Sequence, residues 1–362
     1  VRLAILGTRG IPARYGGFET FAEELSTRLA GRGHTVAVYC RGRVDRREYR
    51  GVLLQHAPTL RHKYFDTIVH TFFSSLHLLA HRPEVALYCN AANAVFTILP
   101  RLAGVPVALN VDGLERHRRK WNALAKAWYL LSERLSTLFP NAVVSDAQHI
   151  ARYYRERYGK KTWTIRYGAE TGRVETMQVV DALGLKPRRY FLYVSRFEPE
   201  NNPLLVREAF QRVETDMRLA LVGDAPYARS YIERVRATSD PRIVIPGAIY
   251  GQGYRELQSH CFAYVHATEV GGTHPALIEA MGRGALVLYL DTPENSEVAS
   301  GVGLPFRHDN LAEVIRDVLG MPEEEREALR QRAVERIRER YDWNSVTTDY
   351  ESLLLGLIRR GK

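Results

Sequence analysis

Strand-length apolar runs alternate with helical stretches along the whole chain, and the alternation restarts midway. A parallel neighbour strand is reached only through a connection long enough to be a helix, so this pattern prescribes parallel sheets with crossover helices. The first half predicts strands near 2–8, 35–40, 85–90, 105–111, 141–146 and 162–167. The second predicts them near 189–195, 218–223, 242–246, 262–267 and 286–290. Helices are expected from Glu19 to Gly31, stopped by Gly31 and Gly33, and from Trp121 to Leu138. The polar stretch 169–188, with Gly184 and Pro187, reads as a linker. A charged helix over 322–340 starts at Pro322 and Glu323, and an amphipathic helix over 344–359 follows. At 362 residues the chain exceeds one ordinary core. Two α/β domains are therefore expected, at 1–168 and 186–340, with the helix over 344–359 packing back on the first. Open α/β sheets bind ligands at the carboxyl edge of their strands. Two such edges facing each other across an interdomain cleft would serve a two-substrate reaction.

Charge is unevenly spread. Residues 1–165 hold 25 Lys+Arg against 12 Asp+Glu, net +13, and the remainder holds 26 against 29, net −3. Basic clusters occur at Arg41, Arg43, Arg46, Arg47 and Arg50, from Arg116 to Lys120, and from Arg152 to Lys161. Such a face attracts nucleic acid, anionic lipid or a phosphorylated substrate, or is a solvated Arg-rich surface. No Lys/Arg strip interleaves with stacking aromatics, which argues against nucleic acid. Cys40, Cys89 and Cys261 lack metal-ligand spacing and sit in apolar runs, as buried thiols do. No run approaches a membrane span of about 18 apolar residues. The chain opens directly on a strand, so a cytoplasmic location is expected, with peripheral membrane contact open.

Four segments carry candidate chemistry. In Glu269-Val-Gly-Gly-Thr-His-Pro, Pro275 fits a first helical turn, which puts Gly271, Gly272, Thr273 and His274 at a helix N-terminus. That is a ready diphosphate site, or a plain glycine turn. Glu279 lies one turn on, and its acceptor-only carboxylate suits the two hydroxyls of a ribose. Arg196 directly follows a predicted strand and offers phosphate a planar fork of donors, with the Asn201-Asn202-Pro203 turn after it. The loop from Gly7 to Glu19 is too long for a dinucleotide-binding turn, yet Gly16 and Gly17 stand at the start of a helix. Asp112, in Asn110-Val-Asp-Gly, ends another strand, to face a sugar hydroxyl or to cap a turn.

Together these segments resemble the family 4 glycosyltransferases of the GT-B fold, two Rossmann-like domains facing across a cleft. The resemblance rests on Val194-Ser-Arg196, Glu279-Ala-Met281 and Gly284-Ala-Leu-Val287 in the second half. GTRGIPARYGGFET (7–20), RGH (32–34), NVDGLE (110–115) and IRYGAE (165–170) resemble a narrower, rhamnosyltransferase-like branch of bacterial polysaccharide assembly. The resemblance implies retaining, metal-independent hexosyl transfer from a nucleoside-diphosphate sugar, without a cofactor. The acceptor it implies is a saccharide or a polyprenyl-diphosphate-linked saccharide. It further implies that Arg196 and Asn201 serve the diphosphate, Glu279 the ribose, and Ile249 and Tyr250 the base. Gly271 to His274 would meet sugar and phosphate, Gly16 and Gly17 the phosphate, and Asp112 the transfer step.

Two departures stand out. Where the broad family carries a Glu eight residues before its ribose Glu, this chain has Gly271, with Glu269 two residues earlier. Where it carries a Lys five residues after its phosphate Arg, this chain has Asn201. They leave the donor open between a dTDP-6-deoxyhexose such as dTDP-rhamnose and a UDP-sugar. A same-fold nucleotide-sugar epimerase and an inactive sugar-nucleotide-binding protein remain as alternatives.

Overall fold

The computed structural model describes every residue except 14–15, 43–45, 61–65, 120, 226–228 and 362. Arg43 and Lys120 of the basic clusters thus lie outside the described residues, as do Arg61, Lys63, Tyr64 and Phe65, an aromatic and basic stretch that suits a membrane surface. The chain forms two compact units. The first comprises Val1–His117, Trp121–Tyr167 and Trp343–Lys362, the second Arg118–Lys120 and Gly168–Asp342.

The first unit opens with β1 (Arg2–Leu6), α1 (Gly17–Gly31), β2 (Thr35–Arg41), β3 (Glu48–Tyr49) and β4 (Val52–Ala57). It continues through α2 (Asp66–His81), β5 (Val85–Cys89), α3 (Ile98–Leu102), β6 (Val107–Asn110) and α4 (Ala123–Leu138). It then adds β7 (Ala142–Ser145), α5 (Gln148–Tyr158) and β8 (Trp163–Thr164). Its sheet runs β3-β4-β2-β1-β5-β6-β7-β8, parallel except for the β3–β4 pair. Every residue of β5, β6 and β7 is buried, as helices on both faces of a parallel sheet require. Helix α1 turns Phe21, Ala22, Leu25 and Leu29 inward at helical spacing.

The second unit contains α6 (Gln178–Ala182), β9 (Tyr190–Val194), α7 (Pro203–Gln211), β10 (Arg218–Val222), α8 (Arg229–Arg236) and β11 (Ile243–Gly247). There follow α9 (Gly251–His260), β12 (Ala263–His266), α10 (Pro275–Gly282), β13 (Leu286–Leu290), α11 (Pro293–Ala299), β14 (Leu304–Phe306), α12 (Leu311–Gly320) and α13 (Glu323–Arg340). The sheet order is β11-β10-β9-β12-β13-β14, all parallel, around a core that includes Phe191, Tyr193, Leu219, Leu221, Val265 and Leu288. The last helix, α14 (Trp343–Gly361), belongs to the first unit. There Tyr350 meets Phe21 with ring centroids 5.2 Å apart, and Glu351 receives Arg32 at 2.6 Å and His34 at 2.7 Å.

Three features depart from the expected elements. The stretch 169–188 is no open linker: α6 buries Val180, the Val179 amide donates to Glu256 Oε2 at 2.7 Å, and Gly172 N donates to Gly282 O. One helical turn of five residues is too short to leave a periodic signal. Strand β4 lies near the sheet edge and mixes His and Gln into its alternation, so it carries no continuous apolar run.

Helix α2 is amphipathic the wrong way round. It buries His70, Thr71, Ser74 and Ser75 with Leu78, and exposes Phe72, Phe73 and Leu76. The buried side is polar but partly tied: Ser75 Oγ pairs with Tyr88 Oη at 2.8 Å, and burial followed by Arg41 pushes the His70 imidazole down to about 4, so it sits neutral. Helix α4 repeats the inversion. Tyr129, Ser132, Glu133 and Ser136 are buried, while Leu124, Leu130, Leu131 and Leu138 are exposed. Glu133 takes Arg116 Nε at 2.9 Å, Tyr153 Oη at 2.8 Å and Tyr158 Oη at 3.0 Å, which makes its burial tolerable. All three cysteines are buried and free.

Candidate active site

A parallel sheet opens a crevice where its strand order reverses, because neighbouring connections leave for opposite faces. In the second unit that point lies between β9 and β12. The loop after β9 carries Arg196, and the loop after β12 carries residues 267–274.

The Arg196 loop is held from within. Asn201 Nδ2 donates to Arg196 O at 2.7 Å, and Tyr193 Oη donates to Asn201 O at 2.7 Å. Its approach needs Gly223, whose β-carbon would fall 1.9 Å from Ser195 O. Asn201 is 2% exposed and its amide is committed to that carbonyl, so it positions Arg196 rather than reaching outward. The Arg196 guanidinium remains half-exposed, with Glu198 at 3.8 Å.

Asn202 joins the two loops. Its Nδ2 donates to Ala267 O and to Glu269 Oε1, both at 2.9 Å, and the Glu269 amide donates to Glu200 O. His308 Nε2 also reaches Glu269 Oε1 at 2.8 Å. Glu269 is thereby bound into the scaffold of the loop. The position of Gly271 has a steric reason: a β-carbon there would lie 2.3 Å from His274 Nε2. The imidazole occupies the space a side chain at 271 would need. His274 Nδ1 meets Asn295 Oδ1 at 2.8 Å, while Asn295 Nδ2 donates to Thr268 O and Leu290 O. Asn295 Oδ1 is therefore the acceptor and His274 carries its proton on Nδ1. The His266 ring lies 4.9 Å from it, and burial holds both imidazoles below the usual histidine range, neutral near pH 7.

Gly272 and buried Thr273 complete the loop that leads into Pro275, the first residue of α10. The helix adds positive potential there. One turn in, Glu279 Oε2 accepts from Tyr254 Oη at 2.7 Å. Tyr254 and the base-side candidates lie together: Ile249 is half-buried, and exposed Tyr250 caps α9, one residue before Gly251 turns the chain at φ +61°.

The first unit reverses its strand order between β1 and β5. Gly7, at φ +89°, would place a β-carbon 2.3 Å from Cys89 O, and Gly10, at φ +104°, one 2.5 Å from Cys40 Sγ. The loop they start is pinned by α1: Arg9 N donates to Glu19 Oε1 at 3.0 Å and Ala13 N to Glu23 Oε2 at 2.6 Å. Gly16 is the N-cap and Gly17 the first residue of α1, but a carboxylate is already there, Glu19 Oε2 lying 3.1 Å from the β position of Gly16. Asp112 sits at the carboxyl edge after β6 with φ +55°, its amide donating to Asn110 Oδ1 at 2.9 Å, and Asn110 Nδ2 donating to Tyr350 Oη at 2.8 Å. Asp146 follows β7 and is buried. Burial, then Asp112 and Asp146, raise the Tyr167 phenol far above its usual range. The edge of this sheet is thus acidic. Asp146, Tyr254 and Asn295 were not singled out from sequence, and Asn202 only as part of a turn; an Asp closing an apolar strand in Val143-Val-Ser-Asp146 is the signal that could have found the first. Among the described residues no three His, Cys, Asp or Glu side chains converge as a metal site.

The family profile described as Glycosyltransferase Family 4 matches residues 15–173, and that described as Glycosyl transferases group 1 matches residues 188–321. The chain belongs to the family 4 glycosyltransferases. Its fold is GT-B, two Rossmann-like α/β units with parallel sheets. Solved structures agree in fold across nearly their whole lengths. A sucrose-phosphate synthase from Thermosynechococcus elongatus superposes with a TM-score of 0.82 at 17% identity, covering 99% of each chain. Anabaena HepE in complex with UDP and glucose gives 0.79 at 14%, covering 98% of this chain and 99% of that one. WaaG, a glycosyltransferase involved in lipopolysaccharide biosynthesis, gives 0.75 at 16%, covering 98% and 100%. No curated protein matches the chain by sequence.

In this glycosyltransferase the Gly271–His274 contact makes a direct prediction. Gly271→Ala forces the imidazole off Asn295, an overpacking cost of about 1–3 kcal/mol. Adding His274→Ala vacates the space, so the double variant loses less than the sum of the singles. Chemical denaturation of the three variants measures this; strict additivity would show that the two residues do not share that space.

Proposed function

We propose that the enzyme is a retaining hexosyltransferase that moves a sugar from a nucleoside-diphosphate donor to a saccharide or polyprenyl-diphosphate-linked acceptor in polysaccharide or glycoconjugate synthesis. The observation that carries the reading is the β9–β12 reversal, with Arg196 on one side, the 271–274 loop on the other, and Glu279 one turn into α10. In this reading Arg196 and the helix N-terminus hold the diphosphate without a metal, and Gly272 and Thr273 meet the sugar and phosphate. Glu279, oriented by Tyr254, holds the ribose, and Ile249 and Tyr250 flank the base. Gly16 and Gly17 contribute backbone donors toward the phosphate, and Asp112 acts on the transfer step.

The donor is a dTDP-6-deoxyhexose such as dTDP-rhamnose, as the rhamnosyltransferase-like segments suggest, or a UDP-sugar, as the UDP bound by HepE suggests. The absence of a carboxylate at Gly271, together with the engagement of Glu269, favours a sugar that asks for one hydroxyl contact fewer.

In this reading the acceptor lies at an anionic membrane surface. No helix among the described residues is long and apolar enough to cross a membrane. The inverted helices α2 and α4 both pack on residues 91–97, so their exposed Phe72, Phe73, Leu76, Leu124, Leu131 and Leu138 belong to one side of the first unit. Lys126 and Arg134 are exposed among them on α4, and the only carboxylate of that helix, Glu133, is buried. An apolar face that also carries Lys126 and Arg134 fits a headgroup–acyl boundary.

Incubation with dTDP-rhamnose and UDP-sugars, with and without acceptor and in EDTA, should give acceptor-dependent transfer, with the donor's anomeric configuration kept in the product by NMR. Turnover of donor alone to an epimer, or loss of activity in chelator restored by Mg²⁺, would count against this reading. Glu279→Ala should weaken nucleoside-diphosphate binding by about 1.5–3 kcal/mol in calorimetry, the value of a hydrogen bond to a charged group. Asp112→Asn should leave that affinity unchanged and lower kcat; full turnover in this variant would reduce Asp112 to a turn residue. In sedimentation, anionic liposomes should retain the protein at low salt and release it at high salt, and Leu124→Ser/Leu131→Ser should weaken retention. Equal, negligible binding to anionic and neutral liposomes would remove the membrane from the proposal.

A further inference from the structure

A cavity of about 260 Å³ opens on the second unit between Gly172 and Arg173, the carboxyl end of α10 and helix α13. Its wall carries Arg173, Arg283, Arg330 and Arg338 against Glu327 and Glu335. Arg330 is buried and already paired, with Glu323 at 2.8 Å and Glu327 at 3.3 Å. Arg173, Arg283 and Arg338 make no ion pair among the described residues. Arg283 Nη1 donates to Gly172 O at 2.7 Å, and Arg173 Nη2 reaches Gly284 O at 3.5 Å. Each contact uses one of five guanidinium N–H groups, which leaves donors for a ligand.

The wall is shaped by glycine. A β-carbon at Gly282 would lie 2.3 Å from Glu170 O, and Gly284, at φ +74°, lets the Arg173 guanidinium lie against it, 3.3 Å from the β position. Gly172 N donates to Gly282 O, which caps the negative end of α10. The cavity wall itself therefore sets three guanidiniums without an ion pair, Arg173, Arg283 and Arg338, against the carboxylate of Glu335, while Arg255, Glu170 and Glu279 act on Arg283 from behind the wall.

We propose that this cavity binds a small phosphate monoester, at a site separate from the 269–274 loop. Planar guanidinium forks match phosphate oxygens in pairs, and several converging on a concave wall are the arrangement such an anion requires. The volume lies just below the range of about 300–1,000 Å³ usual for small-molecule pockets, which suits phosphate with one small ring and not a nucleotide sugar. The eight residues of α10 put the cavity roughly 12 Å from Pro275, at the opposite end of the helix that carries Glu279. The proposal stands independently of the donor and acceptor assigned above.

Calorimetry of the full chain with inorganic phosphate and with glucose 6-phosphate, at ionic strength held constant with NaCl, tests it. One saturable site is expected for glucose 6-phosphate, none for glucose. Arg173→Ala/Arg338→Ala should weaken binding at least tenfold; both residues are exposed, and circular dichroism checks that the fold is kept. The charge reversal Arg338→Glu, at an exposed helical position, should give the same loss by an independent change. Absence of saturable binding, or binding that survives both variants and so belongs to another part of the protein, would overturn the proposal.

Discussion

The order of strands in a parallel sheet cannot reverse without parting the connections on either side, and both candidate ligand edges of this protein depend on that single fact. Between β9 and β12 the chain leaves one strand through the Arg196 loop and the other through 267–274. The crevice would collapse or wander if those loops were soft. It is kept by amides that bond backbone, Asn201 to Arg196 O, Asn202 to Ala267 O and Asn295 to Thr268 O. Each is a neutral donor, so the scaffold adds no charge of its own beside a guanidinium intended for an anion. Glu269 is the exception, and its carboxylate is engaged by Asn202, His308 and the guanidinium of Arg119.

The parallel architecture was legible because β5, β9 and β13 are apolar throughout, and continuous apolar runs in alternation with helices have few other interpretations. The site segments were legible where a backbone requirement forces a residue type: Pro275 at a first helical turn, Gly7 and Gly10 where no β-carbon fits. What could not be read is tertiary in origin. Whether Asn201 faces a ligand or a carbonyl depends on the fold of its own loop. That Gly271 makes room for His274 requires knowing that the chain doubles back over three residues. Sequence marks Gly271 as a departure from a pattern; only packing shows that the space is filled.

Helices α2 and α4 show the opposite failure, in which periodicity is present and its sign misleads. An apolar stripe is normally assigned to the core. Here the core side of α2 is His70, Thr71, Ser74 and Ser75, satisfied partly through Tyr88, and that of α4 is built on Glu133 and its tyrosine and arginine partners. Polar groups buried in this way are costly unless hydrogen-bonded. Here that cost falls on two helices that both pack on residues 91–97, and both leave Phe or Leu at the surface, which is the observation on which the proposed membrane contact rests.

Charge separates the same way. The first unit carries 26 Lys+Arg against 14 Asp+Glu, net +12, yet the carboxyl edge of its sheet presents Glu19, Asp112 and Asp146. The second unit is slightly acidic overall, 25 against 27, yet concentrates Arg196 at its reversal point and guanidiniums at the far end of α10. Net charge per unit therefore says little about the local sign at either sheet edge. A long-range field decides what a surface attracts and is screened within about 8–10 Å at ordinary salt. A carboxylate or guanidinium at a strand end acts at contact, where screening is weak. The positive excess of the first unit belongs to its outer surface and the acidic residues to its sheet edge, so the two act on different ranges and need not serve the same ligand.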